Sequence, residues 1–359
     1  MTENVSVSGE DSMGSEGSNG TGRARRGVRV WRGTEVESTH EVHAALVDAE
    51  GREMARCGIP DMRAYLRSAA KPVQVLPVIE EGVMERYGFN DEEIAMMAAS
   101  HNAEPFHVAT VERILEKAGL DAGLLRCGAH PPLHEPSAEA LRRAGHEPTA
   151  LHNNCSGKHA GMLAVCRAMG WPLETYRDPD HPLQVRIWRL VAELAALPAE
   201  EVGRATDGCG VPAFALPVRA MATLYARLAA ADQVRDTDRS RAVGIVFDAM
   251  AAHPNHVAGA GRLCTVVMAR AGERVVVKTG AEGVYCAAIR GARQGLALKV
   301  ADGARRAQDV ALLALLKELD LVDGAGDPDL EPHRAPQLTN RSGMIVGHID
   351  ARLTFERRV

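Results

Sequence analysis

The alternation of apolar and polar residues divides the chain into three stretches. Residues from about 28 to 58 read as short β-strands, and "EG" at 50–51 turns the chain back. A long middle region follows the helical period, with glycine and proline between its segments. It predicts helices at roughly 72–86, 91–99, 105–118, 136–143, 157–169, 181–196, 211–230 and 235–252.

After about residue 260 the period returns to that of strands. The segments "RLCTVVMA", "ERVVVKTG", "GVYCAAIR" and "LALKVADG" predict four strands, followed by an amphipathic helix at about 304–319 and a last strand near 343–349. Strands at both ends of a helical middle indicate one antiparallel sheet joined from both termini. We therefore predict an α+β fold, with a single domain over 28–359 and an inserted helical subdomain at about 90–255.

Composition adds limits on the class of protein. The chain has 359 residues, 46% of them hydrophobic, and a formal net charge of -5, which gives no basic excess for binding nucleic acid. No apolar run reaches the roughly 18 residues of a membrane helix. Residues 1–27 are rich in serine and glycine and lack the apolar core of a signal peptide, so we predict a disordered tail and a cytoplasmic protein. The seven scattered cysteines do not indicate a disulfide framework.

Lysine is scarce in this sequence. Only six of the 42 basic residues are lysine. Arginine stays protonated in proteins, whereas a buried lysine can lose its proton and act as a base. Lys117, Lys299 and Lys317 lie at positions typical of a surface, which leaves three lysines as candidates for chemistry: Lys71, Lys158 and Lys278.

Ser68 and Lys71 stand three residues apart in "YLRSAAKP". Pro72 is tolerated in the first turn of a helix, so the helix is predicted to begin close to Ser68. Residues i and i+3 share a helical face, which brings the amine near the hydroxyl. A helix cap followed by a lysine that reaches solvent is the alternative interpretation.

Two further segments each allow an ordinary explanation when taken alone. In "AASHNAEP", Ser100 precedes Asn102, which could simply cap the next helix. In "VVVKTGAEG", Lys278 could simply precede a turn. Together, S-x-x-K, S-x-N and K-T-G occur in the order that is the signature of serine β-lactamases and penicillin-binding proteins. The three motifs predict acyl transfer on a fold of that kind.

The predicted chemistry assigns a role to each motif. Ser68 would attack a carbonyl carbon, and Lys71 would remove its proton if burial keeps the amine neutral. Ser100, bridged to Lys278, would relay a proton to the leaving nitrogen. The oxyanion would rest on the N–H of Ser68 and on an N–H just after K-T-G, that of Ala281.

Cys155 and Lys158 in "LHNNCSGKHAGM", with Cys209 in "ATDGCGVP", form a second candidate group. Cys-x-x-Lys is not a usual zinc pattern, because lysine binds a metal only when deprotonated. Spacing alone leaves three interpretations open. They are a metal site, a thiol nucleophile at Cys155 and, most commonly for lone cysteines, a purely structural role.

The strings "LRSAAKP", "MAASHNAEP", "LHNNCSGKHAGML", "TDGCGVPAFALP" and "VVVKTGAEGVYCA" resemble the rhizobial-type, or class 3, L-asparaginases. The resemblance extends from about residue 28 to the C-terminus. It implies a serine β-lactamase/glutaminase-like fold, a homodimer, and hydrolysis of L-asparagine to L-aspartate and ammonia.

The same resemblance implies site residues. Ser68 with Lys71, and Ser100 with Lys278, would be two Ser–Lys pairs. Cys155, Lys158 and Cys209 match the zinc ligands of the family, with the metal near the substrate. Further candidates would bind the substrate amine and carboxylate or a zinc-bound water: Asp207, His159 and, for the carboxylate, Arg67.

Other readings keep the fold and change the function. The substrate could be glutamine or a β-lactam, although no export signal is present for an enzyme that would meet penicillins outside the cell. A sensor whose serine is acylated without turnover, or a zinc-binding module, belongs to a different class. The sensor reading predicts covalent labelling without ammonia release, which separates it from an amidohydrolase.

Overall fold

The computed structural model of the protein describes residues 27–322 and 325–357. The predicted tail at 1–27 lies outside the described residues, apart from Gly27. The strands are β1 Gly27–Arg32, β2 Glu35–Asp48, β3 Glu53–Cys57, β4 Arg63–Tyr65, β5 Gly203–Thr206, β6 Pro212–Pro217, β7 Val275–Thr279, β8 Val284–Ile289, β9 Gln294–Val300, β10 Gln337–Thr339, β11 Ile345–Arg352 and β12 Glu356–Arg357.

The α-helices lie mostly between the two groups of strands. They are α1 Lys71–Glu80, α2 Val83–Tyr87, α3 Asp91–Met97, α4 Pro105–Lys117, α5 Glu135–Arg143, α6 Ser156–Met169, α7 Pro182–Leu194, α8 Val218–Val234, α9 Asp238–Ala252, α10 Pro254–Val257, α11 Leu263–Ala271, α12 Arg305–Glu318 and α13 Glu331–Arg334. Short 3-10 turns occupy Arg67–Ala70, Ala122–Leu124, Ala150–His152 and Ala199–Glu201. Within the described chain, no helix has both the length and the apolar composition needed to cross a membrane.

The main sheet is antiparallel and built from both ends of the chain. Its strands run in the order β10, β11, β1, β2, β9, β8, β7, with β3 also paired to β2 and β12 to β3. Val30 of β1 faces Ile349 of β11, and Lys278 of the edge strand β7 faces Cys286 of β8. The predicted α+β fold, with an inserted helical part between the strands, is confirmed.

Helix α8 packs directly on this sheet. The close approach depends on Gly295 in β9, where a Cβ atom would overlap the carbonyl oxygen of Ala222 in the helix. The helix α8 thus packs closely against β9, and β8 lies between β9 and the edge strand β7 that carries Lys278.

A second, smaller sheet in the order β4, β6, β5 was not anticipated. The pattern predicted a helix over 211–230, but its first part, Pro212–Pro217, is strand β6, and the helix begins at Val218. Prolines at both ends of this segment and backbone pairing on both sides override the apolar helical pattern. The consequence matters for the site, because β4 leads into Ser68.

The segment "RLCTVVMA" was also assigned to the wrong element. It was predicted as a strand and is helix α11, which buries Leu263, Cys264, Thr265, Val267, Met268 and Ala271. A short apolar run that is buried on most sides has no period that separates a helix from a strand.

The predicted helix at 72–86 is interrupted. It divides into α1 and α2 at Gly82, which has φ of 66°. That left-handed conformation favours glycine, because a side chain there meets the backbone. The other predicted helices are present, with ends shifted by a few residues.

Candidate active site

Ser68 lies on the 3-10 turn that leads into helix α1. Strand β4 delivers the chain to this turn, and the N–H of Leu66 donates to the carbonyl of Phe214 in β6 at 2.8 Å. The backbone N–H of Lys71 donates to the carbonyl of Ser68. In a 3-10 turn, side chains at i and i+3 eclipse each other, so Ser68 and Lys71 lie on one face. The predicted helix start is confirmed.

The amine of Lys71 is enclosed by acceptors. Its Nζ lies 2.9 Å from Ser100 Oγ and 3.1 Å from the carbonyl oxygen of Asn154, and it also donates to the carbonyl of Ala99. Among the described hydrogen bonds, none joins Lys71 to Ser68 Oγ. The closest hydroxyl partner of the Lys71 amine is therefore Ser100.

Ser100 also accepts a hydrogen bond from the second lysine. Lys278 Nζ donates to Ser100 Oγ at 2.9 Å. The loop that carries Ser100 is fixed by its own N–H, which donates to the carbonyl of Val257 at 2.9 Å, and by the amide of Asn102, which donates to Ala260. The structure thus places one hydroxyl between two buried amines.

Burial shifts the pKa of both amines downward. Lys71 and Lys278 are 1% and 0% exposed. Loss of hydration lowers the pKa of Lys278 to about 7, with a further contribution from the charge of Lys71. The pKa of Lys71 is lowered by burial and by Lys158, although Cys155 opposes the shift. An amine with a pKa near 7 can accept a proton at neutral pH.

Backbone strain surrounds these residues. Arg67, directly before Ser68, has φ of 50°, Ala103 after the Ser100 loop has 58°, and Glu282 after K-T-G has 57°. Each is a non-glycine residue in the left-handed region, which costs about 1–3 kcal/mol. All three motifs are therefore bordered by residues that only the surrounding fold holds in place.

A cleft of about 280 Å³ opens between the three motifs. Three predicted site residues belong to its lining, namely Ser68, Ser100 and Ala281. In the described hydrogen bonds, the N–H of Ala281 has no protein partner. Gly280 holds this corner close to the nucleophile turn, since a Cβ there would lie 2.9 Å from the carbonyl oxygen of Leu66.

The predicted metal ligands also converge. Cys155 is the N-cap of helix α6, and Lys158 lies one turn into it. Cys209 comes from the hairpin loop between β5 and β6, and its Sγ is 3.1 Å from Lys158 Nζ. Gly157 allows the start of α6 to approach α3 closely, since a Cβ there would overlap the carbonyl oxygen of Met96.

The donors of this group differ from those of the usual metal clusters. Among the described residues, no group of three or more His, Cys, Asp and Glu side chains could hold a metal ion. Two buried thiols and one amine nevertheless meet here, and thiolate is a preferred zinc ligand. The chemistry of this donor set fits a zinc ion, which Cys155, Lys158 and Cys209 would hold.

Electrostatics within the group favour one thiolate. A hydrogen bond from Cys209, with the nearby amines of Lys71 and Lys158, holds the pKa of Cys155 well below its usual range despite burial. Burial alone would lower the pKa of the Lys158 amine, but the charges of Cys155 and Cys209 raise it above its ordinary value.

The remaining predicted residues lie around the thiols. Arg67 Nε donates to Asp207 Oδ2 at 2.6 Å, so these two candidates are paired with each other. Burial opposes ionisation of Asp207, yet the hydrogen bond from Arg67 and the charge of Lys158 hold its pKa below the usual range. His159 Nδ1 is 2.6 Å from the hydroxyl of Tyr176, while its Nε2 is buried with no partner among the described residues.

Sequence reasoning missed several residues of the cleft, two of which fix the motifs around it. Gln308 of α12 donates to Thr279 Oγ1 at 2.6 Å and to the carbonyls of Gly280 and Val284, which fixes K-T-G. Arg262, at the start of α11, lines the cleft and donates to Asn102. Neither belongs to a motif, although the glycines in "GAGRLC" beside Arg262 offered a signal.

The sequence matches a known protein family over most of its length. The family model of L-asparaginase II matches residues 28–351. No curated protein matches the chain. Among solved structures, the crystal structure of Mglu in its native form in the presence of 4.3 M NaCl is 16% identical, with a TM-score of 0.35 over 80% of this chain and 62% of that chain.

A second crystal structure of Mglu in its native form is 17% identical, with a TM-score of 0.33 over 80% of this chain and 66% of that chain. This chain thus spans less than two thirds of either structure, and the similarities are too low to bear on activity. The family match covers most of the sequence and includes all three motifs. The chain belongs to the L-asparaginase II family.

Proposed function

We propose that this protein is an L-asparaginase that converts L-asparagine to L-aspartate and ammonia through a serine acyl-enzyme. The observation that carries the proposal is the position of Ser100. It lies between the buried amines of Lys71 and Lys278 and lines the same cleft as Ser68. Two amines whose pKa values are lowered by burial are suited to move protons at neutral pH.

Ser68 is the proposed nucleophile. It is half-buried, lines the cleft, and shares a face with Lys71 at the start of α1. In the first step Ser68 Oγ attacks the side-chain amide carbon of the substrate. Its proton passes to Lys71, directly or by way of Ser100.

The second pair acts on the leaving group. Ser100 delivers a proton to the departing nitrogen and recovers one through the hydrogen bond that it shares with Lys278. Ammonia leaves and an ester remains on Ser68. A water molecule, deprotonated by the same amines, then hydrolyses the ester and releases aspartate.

Two N–H groups would stabilise the developing oxyanion. The N–H of Ser68 is at the first turn of a helix, where backbone donors lack partners within the helix. The N–H of Ala281 belongs to the opposite wall of the cleft. Donors of this kind act most strongly where charge develops in the transition state.

We further propose that Cys155, Lys158 and Cys209 hold a zinc ion. Bound zinc would act as a Lewis acid that orients a polar group of the substrate near the cleft. Lys158 must release its proton to bind, so the affinity for zinc is expected to rise with pH. The homodimer implied by the resemblance is a separate proposal. Light scattering tests it by measuring the mass of the protein in solution.

The decisive experiment measures ammonia release from L-asparagine by purified protein, with L-glutamine as a second substrate. We expect release by the wild type and a loss of roughly 10⁴-fold or more in Ser68→Ala. Equal release by Ser68→Ala would overturn the serine mechanism. Faster release from L-glutamine would make the protein a glutaminase.

The sensor reading predicts a different result. A serine acylated without turnover gives a stoichiometric mass increase on Ser68 and no ammonia beyond one equivalent. Intact mass spectrometry after mixing with substrate distinguishes this outcome from catalysis.

A further inference from the structure

Three charged side chains line the cleft beside Ser68 and Ser100. They are Arg262, Arg305 and Glu282. An α-amino acid carries a carboxylate and an ammonium group, so a cleft that accepts asparagine requires a cation for the first of these. The resemblance implies Arg67 as a candidate for this cation, but neither the three motifs nor the family match assigns one.

Arg262 is held in a defined orientation. Its Nη1 donates to Asn102 Oδ1 at 2.8 Å and approaches the carbonyl oxygen of Ser100 at 3.4 Å. The side chain is half-buried, while Ser100 and Asn102 are each 3% exposed. The guanidinium is therefore fixed to the same loop that holds the proton-relay serine.

The opposite edge of this guanidinium is available. Both side-chain hydrogen bonds of Arg262 within the described chain use Nη1, which leaves Nε and Nη2 without a protein partner there. No carboxylate in the described residues lies within ion-pairing distance of it. The Nε and Nη2 donors form the planar fork that binds a carboxylate through two parallel hydrogen bonds.

The other arginines of the region are less suited. Arg305 also lines the cleft but is exposed, and no contact within the described chain fixes its side chain. The Nε of Arg67 is already bound to Asp207 at 2.6 Å. Arg262 is thus the cation that combines a fixed position, a free fork and a place in the lining.

We propose that Arg262 binds the α-carboxylate of the substrate through Nε and Nη2. This assignment rests on the proposed asparaginase function and deepens it. Because Arg262 is tied to the Ser100 loop, it sets a constant separation between the carboxylate and the catalytic hydroxyls. The substrate class is therefore an α-amino acid with a terminal side-chain amide, and amides without the carboxylate are poor substrates.

The test compares L-asparagine with 3-aminopropanamide, the same molecule without its carboxylate. In Arg262→Gln, we expect the preference in kcat/KM for L-asparagine to fall about 10- to 100-fold, mainly through KM, as for the loss of a charge-assisted hydrogen bond. Arg305→Gln is the matched control and keeps the wild-type preference. A wild-type preference in Arg262→Gln, or its loss in Arg305→Gln alone, would overturn the proposal.

Arg262→Lys separates the role from an effect on folding. It keeps the charge without the fork, so its preference is expected to lie between those of the wild type and Arg262→Gln. Thermal unfolding of each variant identifies any that is not folded. A preference in Arg262→Lys below that of Arg262→Gln would contradict the anchor.

Failure of the asparaginase function gives a separate outcome. If the wild type releases no ammonia, titration calorimetry with L-aspartate still measures carboxylate binding. We then expect affinity at least about tenfold weaker in Arg262→Gln than in the wild type and Arg305→Gln. Equal affinities, or no binding to the wild type, would overturn the role of Arg262.

Discussion

Lys278 and Lys158 are both buried, at 0% and 5% exposure, yet their surroundings move the pKa of their amines in opposite directions. Lys278 shares a neutral hydroxyl with a second amine, and burial lowers its pKa to about 7. Lys158 contacts the thiol of Cys209, and the negative charge of the thiol pair raises its pKa.

The difference shows that burial alone does not decide whether a lysine can act as a base. Loss of hydration disfavours the charged form in both places, but an acidic partner reverses the result. The same residue type is therefore suited to proton transfer at one position. At the other position the lysine is suited to remain a cation or, once metal binding has released its proton to solvent, to act as a ligand.

Among the changes that test this comparison, replacement of Lys278 by methionine is expected to lower activity most. Methionine fills a similar volume without the amine, so Ser100 loses one of its two lysine partners. We expect kcat/KM for L-asparagine to fall by roughly 10²–10⁴-fold, as for removal of a group that transfers protons by general acid–base catalysis. Steady-state ammonia release measures it.

The control for this change is Lys317→Met, at an exposed position of α12. It should leave the rate unchanged. A Lys278→Met variant that keeps a rate within threefold of the wild type would remove Lys278 from the mechanism.

Removal of a thiol tests the other group. Cys155→Ala should lose bound zinc and lower kcat/KM about 10- to 100-fold, since the proposed metal orients the substrate and does not generate the nucleophile. Metal analysis of purified protein measures zinc per chain. Cys166→Ala, which removes another buried thiol from the same helix, is the matched control.

The thiol-nucleophile reading makes the reverse prediction. If Cys155 attacked the substrate, Cys155→Ala would have no activity and Ser68→Ala would retain it. Parallel assays of the two variants therefore decide between the serine and the thiol.

The dependence on pH sharpens the contrast between the amines. With a pKa of about 7, Lys278 is mostly protonated at pH 6 and mostly neutral at pH 8. We expect kcat/KM to fall about tenfold between these values, because only the protonated amine can return a proton to Ser100. A profile that is flat from pH 6 to 9 would contradict this assignment.

The lowered pKa of Lys278 also makes the stability of the protein depend on pH. The folded state disfavours a proton on Lys278 that the unfolded chain retains up to a pKa near 10.5. The contribution of Lys278 to the free energy of unfolding therefore rises with pH between about 7 and 10.5. Urea unfolding at several pH values should show a smaller rise in Lys278→Met than in the wild type.

Gln308→Leu is expected to have the smallest effect. The amide of Gln308 fixes Thr279 and the carbonyls of Gly280 and Val284, beside the proposed oxyanion donor Ala281. Its loss removes these hydrogen bonds, but the carbonyl of Val284 keeps the N–H of Gly280 as a donor and the carbonyl of Gly280 keeps the hydroxyl of Thr279. We therefore expect a cost of about 0.5–1.5 kcal/mol of unfolding free energy. We expect kcat to fall by less than about tenfold. Thermal unfolding measures the loss of stability. No change in either measurement would contradict this role.

The sequence was sufficient for the parts of the site that are local in the chain. Ser68 and Lys71 share a turn, and Pro72 fixes where the helix begins. Lys278 at the end of an apolar strand was likewise predictable. These features depend on neighbours within a few residues, which periodicity and turn chemistry report directly.

Features that depend on distant partners were not predictable. Strand β6 exists because β4 and β5 pair with it, and Arg262 becomes a cleft residue because it meets Asn102, 160 positions away in the chain. The pairing of Arg67 with Asp207 spans 140 positions. No local pattern encodes such contacts, since they arise only when the helices and the small sheet have packed.

The closure of the main sheet from both chain ends bears on how the protein is made. Strand β1 pairs with β11, and Arg29 and Asp350 lie 321 positions apart. Contacts of such separation are slow to form, because a long loop must close first. When the nascent chain has emerged from the ribosome up to α9, both serines are outside. Lys278 and the strands β7 to β9 have not yet emerged. We therefore expect nascent chains to remain inactive, and exposed to chaperones, until nearly the whole sequence has emerged.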